Sequence, residues 1–132
     1  MREILFRGKD SSGVINHNWN FGSLDTTTKD FSVIIFYDRF GNKCRINVDS
    51  NTVGQYIGLI DKNGKRIFEG DIIKADNGHI GFVTFHNGSF VKCCFCHVGS
   101  INDIYGDNET VIGNKYDNPE LLKSGEYSDK IQ

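Results

Sequence analysis

Cys93, Cys94, Cys96 and His97 crowd into one short segment, and thiolates with an imidazole are the donors that tetrahedral zinc takes. Alternate side chains of a strand point to opposite faces, which sets Cys94 and Cys96 on one side and Cys93 and His97 on the other. Zinc needs converging ligands, usually a Cys-x-x-Cys-like knuckle and then a second pair, and only Cys44 remains elsewhere in the chain. The cysteines therefore read as small buried hydrophobes, and the adjacent Cys93-Cys94 lacks the spacing of a redox pair. No metal or other cofactor is expected.

Glu69 and Asp71 flank Gly70 and would suit a divalent cation or acid–base work if both carboxylates shared a face; Glu-Gly-Asp is also ordinary turn chemistry, the preferred reading. The segment Gly58-Leu59-Ile60-Asp61-Lys62-Asn63-Gly64-Lys65-Arg66 has a superficial likeness to a phosphate loop. It carries one residue too many between its glycines, ends in Arg rather than Ser or Thr, and reads as a hairpin, not a helix start. His17, His79, His86 and His97 show no spacing that marks a triad, and no Gly-x-Ser-x-Gly elbow occurs. No catalytic residue is assigned, so the chain is not expected to be an enzyme.

Basic residues give a different chemistry. Lys62, Lys65 and Arg66 cluster at one hairpin with Tyr56 nearby in sequence, and Lys43 and Arg45 lie on another strand. Cations beside aromatic rings suit single-stranded nucleic acid, through phosphate contact and base stacking. The competing reading is a solvated hairpin whose lysines guard a sheet edge, with Asp61, Glu69 and Asp71 diluting the patch.

The elements that must position these residues are strands. The chain has 132 residues, and 15 Gly, 13 Asn and 12 Asp stand against a single alanine, Ala75. Ile, Val, Phe, Tyr and Trp supply the rest of the character, a composition turned against helix. Strands are expected near 4–7, 31–37, 44–48, 55–60, 65–68, 71–74, 79–85, 89–98 and 111–113. Asn63-Gly64, Asn77-Gly78 and Asn87-Gly88 punctuate the centre as tight hairpin turns. Residues 8–30 read as an irregular, polar excursion with one short strand, and Gly99–Asn108 as a polar loop. Asn118-Pro119-Glu120 reads as the start of a short C-terminal helical turn, with a polar tail over 123–132.

A net charge of -2 and a pI near 6.0 argue against a generally basic nucleic-acid binder. The start lacks an apolar signal region, no run is long enough to span a membrane, and four cysteines in such a chain read as reduced thiols. A cytoplasmic protein without membrane contact is expected.

The stretch Gln55-Tyr56-Ile57-Gly58-Leu59-Ile60-Asp61-Lys62-Asn63-Gly64-Lys65-Arg66-Ile67-Phe68-Glu69-Gly70-Asp71-Ile72-Ile73 resembles the signature of the YopX family, small proteins of bacteriophages and prophages. Three further segments match in order: Met1-Arg2-Glu3-Ile4-x-Phe6-Arg7, Gly81-x-Val83-x-Phe85-x-Asn87-Gly88-x-Phe90, and Val111-Ile112-Gly113-Asn114-x-Tyr116-Asp117-Asn118-Pro119-Glu120-Leu121-Leu122. Residues 8–30 and the cysteines at 93–97 depart from the pattern. The resemblance implies a mostly β fold with a small barrel, self-association, and a phage-related role in the cytoplasm of a bacterial host; it brings no catalytic residues.

The expected architecture is mainly β: a single domain over 1–122 with an SH3-like barrel, built as a meander of hairpins, over about 54–98. SH3-like layouts host protein and nucleic-acid binding alike, so fold does not choose between them. The leading expectation is a non-enzymatic, self-associating protein-interaction module acting on a host or phage macromolecule, a host or phage protein being the possible partner, with Trp19, Phe21 and Tyr105 as loop contacts. The alternative is a nucleic-acid-binding accessory in phage replication or gene regulation, carried by Tyr56, Lys62, Lys65 and Arg66.

Overall fold

The computed structural model describes residues 2–11, 18–27, 30–94 and 100–122. The fold is mainly β, as the composition requires: strands β1 (Phe6–Lys9), β2 (Trp19–Asp25), β3 (Ser32–Tyr37), β4 (Lys43–Val48), β5 (Gly54–Ile60), β6 (Arg66–Phe68), β7 (Asp71–Ala75), β8 (Ile80–His86), β9 (Ser89–Cys94), β10 (Ser100–Asn102) and β11 (Glu109–Asn114). A 3-10 turn at Ser50–Thr52 and a helical turn at 119–122 complete the described elements. The helical turn falls where Asn118-Pro119 predicts it. The Asn118 side chain, however, accepts from the Asn114 amide at 3.2 Å instead of capping forward into the turn. The chain packs as two compact units, residues 1–56 and 57–132.

In the first unit the strand order is β4-β3-β2-β1-β5, antiparallel throughout. Val33, Ile34 and Val48 are its buried apolar centre. The excursion expected over 8–30 holds more regular structure than its polarity suggests. Seven of its residues form β2, which is hydrogen bonded to β1 on one side and β3 on the other. Trp19 and Phe21 alternate there with Asn20 and Gly22, a period-two pattern too short to stand out among polar neighbours. A bridge pairs Asp10 with Val48, tying the end of β1 to the end of β4.

In the second unit the order is β10-β9-β8-β7-β11, with a core of Ile67, Ile73, Val83 and Ile104 against Ile57 and Val111. The hairpins expected at the Asn-Gly pairs are present. Asn87 (φ 48) and Gly88 (φ 83) are both left-handed, the conformation of a two-residue hairpin turn that follows strand twist, so His86 pairs directly with Ser89. The turns at 61–65 and 75–79 are three-residue loops with glycine last, closed by Gly64 N–H to Asp61 O (3.0 Å) and Gly78 N–H to Ala75 O (2.8 Å). The barrel expected over 54–98 does not close: β10 and β11 are opposite edges of this sheet, and the pairing leaves it open. The late strand β11 adds beside β7, with a bulge between Val111 and Gly113, a long-range pairing that no local turn signal announces.

Candidate functional site

Register decides which side chains of the first unit share a face, because directly paired antiparallel residues project together. Arg7 faces Phe21 and Lys9 faces Trp19. Two residues along β2, Ser23 faces Ile35; along β3 and β4, Ile35 faces Arg45 and Tyr37 faces Lys43. One face of the sheet therefore carries three aromatic rings, Trp19, Phe21 and Tyr37, flanked by Arg7 and Lys9 on one side and Lys43 and Arg45 on the other. Phe21 is 46% exposed and Tyr37 68%.

Local contacts fix part of this face. The Arg7 guanidinium lies 4.4 Å from the centre of the Trp19 ring and the Lys9 ammonium 5.8 Å, two cation–π contacts on one indole. Arg45 donates to Asp25 at 2.8 Å. The Thr27 hydroxyl and amide, then the Arg45 guanidinium, lower the Asp25 carboxyl to about 2, so it stays charged and partly neutralises Arg45. Lys43 is exposed at the sheet edge. Planar faces for bases beside cations for phosphates are what such a surface offers a single strand.

The structure thus unites Trp19 and Phe21 with Lys43 and Arg45, four residues the sequence singles out in separate places. Arg7, Lys9 and Tyr37 were missed. Tyr37 had a signal: a three-residue loop over Arg39–Gly41 makes Tyr37 and Lys43 neighbours. The other sequence candidates fall elsewhere. Tyr56 is half-buried on β5 in the first unit, while Lys62, Lys65 and Arg66 are exposed in the second. Lys62 is in an ion pair with Asp76 at 2.8 Å. Asp71 is buried and accepts from the Phe68 amide at 2.8 Å, closing the Glu69-Gly70 turn. Cys93 pairs with Phe82, and Cys94 with Gly81, on opposite faces of β9; Cys96 and His97 lie outside the described residues.

A second feature belongs to the second unit: a pocket of about 390 Å³ lined by the buried Lys92 and Glu109 and by Ala75, Asn77, His79, Asn102, Asp103, Tyr105 and Asn108. Lys92 shares a sheet face with Val83, its partner on β8, and so sits at a core position. Gly81 makes room for its stem, because a Cβ there would meet Lys92 Cγ at 2.8 Å and the Cys93 carbonyl oxygen at 2.5 Å. The Lys92 ammonium donates to Glu109 Oε2 at 3.0 Å, with side chains only 6% and 3% exposed. The Tyr105 amide donates to Glu109 Oε1 at 3.0 Å, and the Tyr105 ring is 66% exposed. Sequence reading named Tyr105 but missed Lys92 and Glu109: they lie 17 residues apart, and nothing local links them.

Comparison with known proteins gives a family and a fold. The family model described as "YopX protein" matches residues 5–123. A solved structure, protein EF1440 from Enterococcus faecalis, is similar with a TM-score of 0.57 and 25% sequence identity, over 92% of this chain and 99% of that one. A search of curated proteins finds no match.

Proposed function

From the chain's membership of the YopX family, which brings no catalytic residue, we propose that it is a non-enzymatic binding protein whose sheet face in the first unit takes single-stranded nucleic acid. One observation carries this: three aromatic side chains on neighbouring strands share a face with Arg7, Lys9, Lys43 and Arg45, and Asp25 is the acidic residue paired into it. Each base stacked on such a ring contributes ~1–3 kcal/mol, and the exposed cations Lys43 and Arg45 track the backbone, while Arg7 is buried at 5% exposure and braces the Trp19 ring. The proposed setting is the cytoplasm of a bacterium carrying a phage or prophage, as an accessory in replication or gene regulation.

The chain has one tryptophan, Trp19, and it lies on this face, so its emission is a built-in reporter. Titration with short DNA and RNA single strands at low salt should change that emission, and Tyr37→Ala or Phe21→Ala should weaken binding about tenfold. No emission change and no gel shift at low salt would overturn the proposal. The second reading, a self-associating protein-interaction module, is favoured by the exposure of Phe40, Ile60 and Phe85. Sedimentation at several concentrations tests it, and a monomer throughout would remove it.

A further inference from the structure

We infer that the pocket of the second unit binds a guanine base. The inference stands apart from the sheet face and starts from an energetic oddity. Lys92 occupies a core position, yet burying an ion pair costs several kcal/mol per ion in desolvation, and a well-packed apolar pair is often as stable or more so. Lys92 is instead ion-paired with Glu109, with Gly81 left bare to admit its stem.

The hydrogen-bonding capacity left at this floor is specific. An ammonium has three donors, and one goes to Glu109; the other two have no partner among the described residues. Glu109 is already engaged through both oxygens, by Lys92 and by the Tyr105 amide. The floor therefore asks for two adjacent acceptors. Lys92 and Glu109 offset each other, so the Asp103 carboxylate disfavours an anionic group inside the pocket. A neutral group with paired acceptors fits better.

Guanine presents O6 and N7 as adjacent acceptors, the pair that lysine reads on this base. Its Watson–Crick edge presents N1–H and the N2 amino group as donors, and the Asp103 carboxylate, also in the lining, is a matching acceptor. The exposed Tyr105 ring supplies a stacking surface. A volume of about 390 Å³ accommodates a nucleoside. Adenine offers a donor where guanine has O6 and so leaves an ammonium proton unpaired, and cytosine, whose adjacent acceptors are O2 and N3, has only its N4 amino group to offer Asp103 where guanine has two neighbouring donors. The phosphates of a nucleotide would stay outside, away from Asp103.

Calorimetric titration of the full chain with guanosine, adenosine and cytidine tests this. Guanosine should bind, with adenosine and cytidine weaker by about tenfold or more. Tyr105→Ala and Asp103→Asn, both exposed and thus expected to leave the melting temperature unchanged, should each weaken guanosine about tenfold. The paired variant Lys92→Met with Glu109→Gln should abolish binding without leaving a lone buried charge. Arms with guanosine monophosphate and a short strand holding one guanine show whether the base arrives free or within a chain, and binding in either arm that Tyr105→Ala weakens supports the site. No binding of guanosine, its monophosphate or the one-guanine strand that Tyr105→Ala weakens, equal binding of adenosine, or full affinity in both rim variants overturns it. Strand binding to the sheet face should survive Asp103→Asn, which separates failure here from failure there.

Discussion

Asp38 and Asp61 solve one local problem in two environments. Each begins a three-residue hairpin loop and accepts two backbone amides on Oδ1: Phe40 and Asn42 for Asp38, Asn63 and Lys65 for Asp61, all at 2.9 Å. Only Asp61 is buried, 4% exposed, and its Oδ2 also accepts the Val111 amide at 2.9 Å, pinning β11 to the hairpin. Burial alone would raise its pKa; the amides of Val111, Lys65 and Asn63 outweigh it and hold the carboxyl below its ordinary value. A lowered folded pKa means stability that is fully present above the unfolded value of ~3.9 and lost as pH falls through the folded one. Asp61→Asn should therefore cost about 1–3 kcal/mol near neutral pH, because an amide cannot satisfy all three donors. The urea midpoint should fall at unchanged slope, and the acid limb of the stability profile should flatten. Asp38→Asn, at an exposed loop, should stay within ~0.5 kcal/mol. The sequence showed Asp61 as a turn residue; its third bond, to a strand 50 residues away, had no local signal.

Hairpins are the elements most legible in this chain, because their chemistry is local. Asn87-Gly88 can adopt two successive left-handed residues, and the structure gives them φ of 48° and 83°. A β-branched residue pays ~1–2 kcal/mol in that conformation. Asn87→Val should thus lower stability by about that amount, with the loss visible in amide exchange of β8 and β9. The same pairing, read onward, predicts the cost at Gly81. A Cβ there would stand 2.5 Å from the Cys93 carbonyl oxygen and 2.8 Å from the Lys92 stem, so Gly81→Ala should destabilise by about 1–3 kcal/mol in denaturant titration. What was not legible depends on contacts between distant elements. Strand β2 sits in a polar stretch, yet pairs on both sides; β11 joins β7 and leaves the sheet open where a barrel was expected. Trp19 and Tyr37 were separate aromatic residues until the pairings of β2 and β3 placed them on one face.

At the scale of the whole molecule, charge and site point in opposite directions. A net charge of -2 repels a polyanion on average, so strand binding must come from the local arrangement of cations and should vanish quickly with added salt. For single strands, log K falls against log salt with a slope of about 0.7 per neutralised phosphate. Lys43 is an exposed edge cation with no acidic partner among the described residues, whereas Arg45 is spoken for by Asp25 at 2.8 Å. Lys43→Ala should therefore reduce the slope by about 0.7, and Arg45→Ala by clearly less. Lys62 is paired with Asp76, and Lys65 lies with it in the second unit, so Lys62→Ala and Lys65→Ala should leave slope and affinity unchanged. Anisotropy titrations of one labelled strand across a salt series measure all four. The order Lys43, then Arg45, then the two second-unit lysines is what the sheet face requires; equal effects from all four would mean that the strand is held by diffuse charge and that the aromatic face has no part in it.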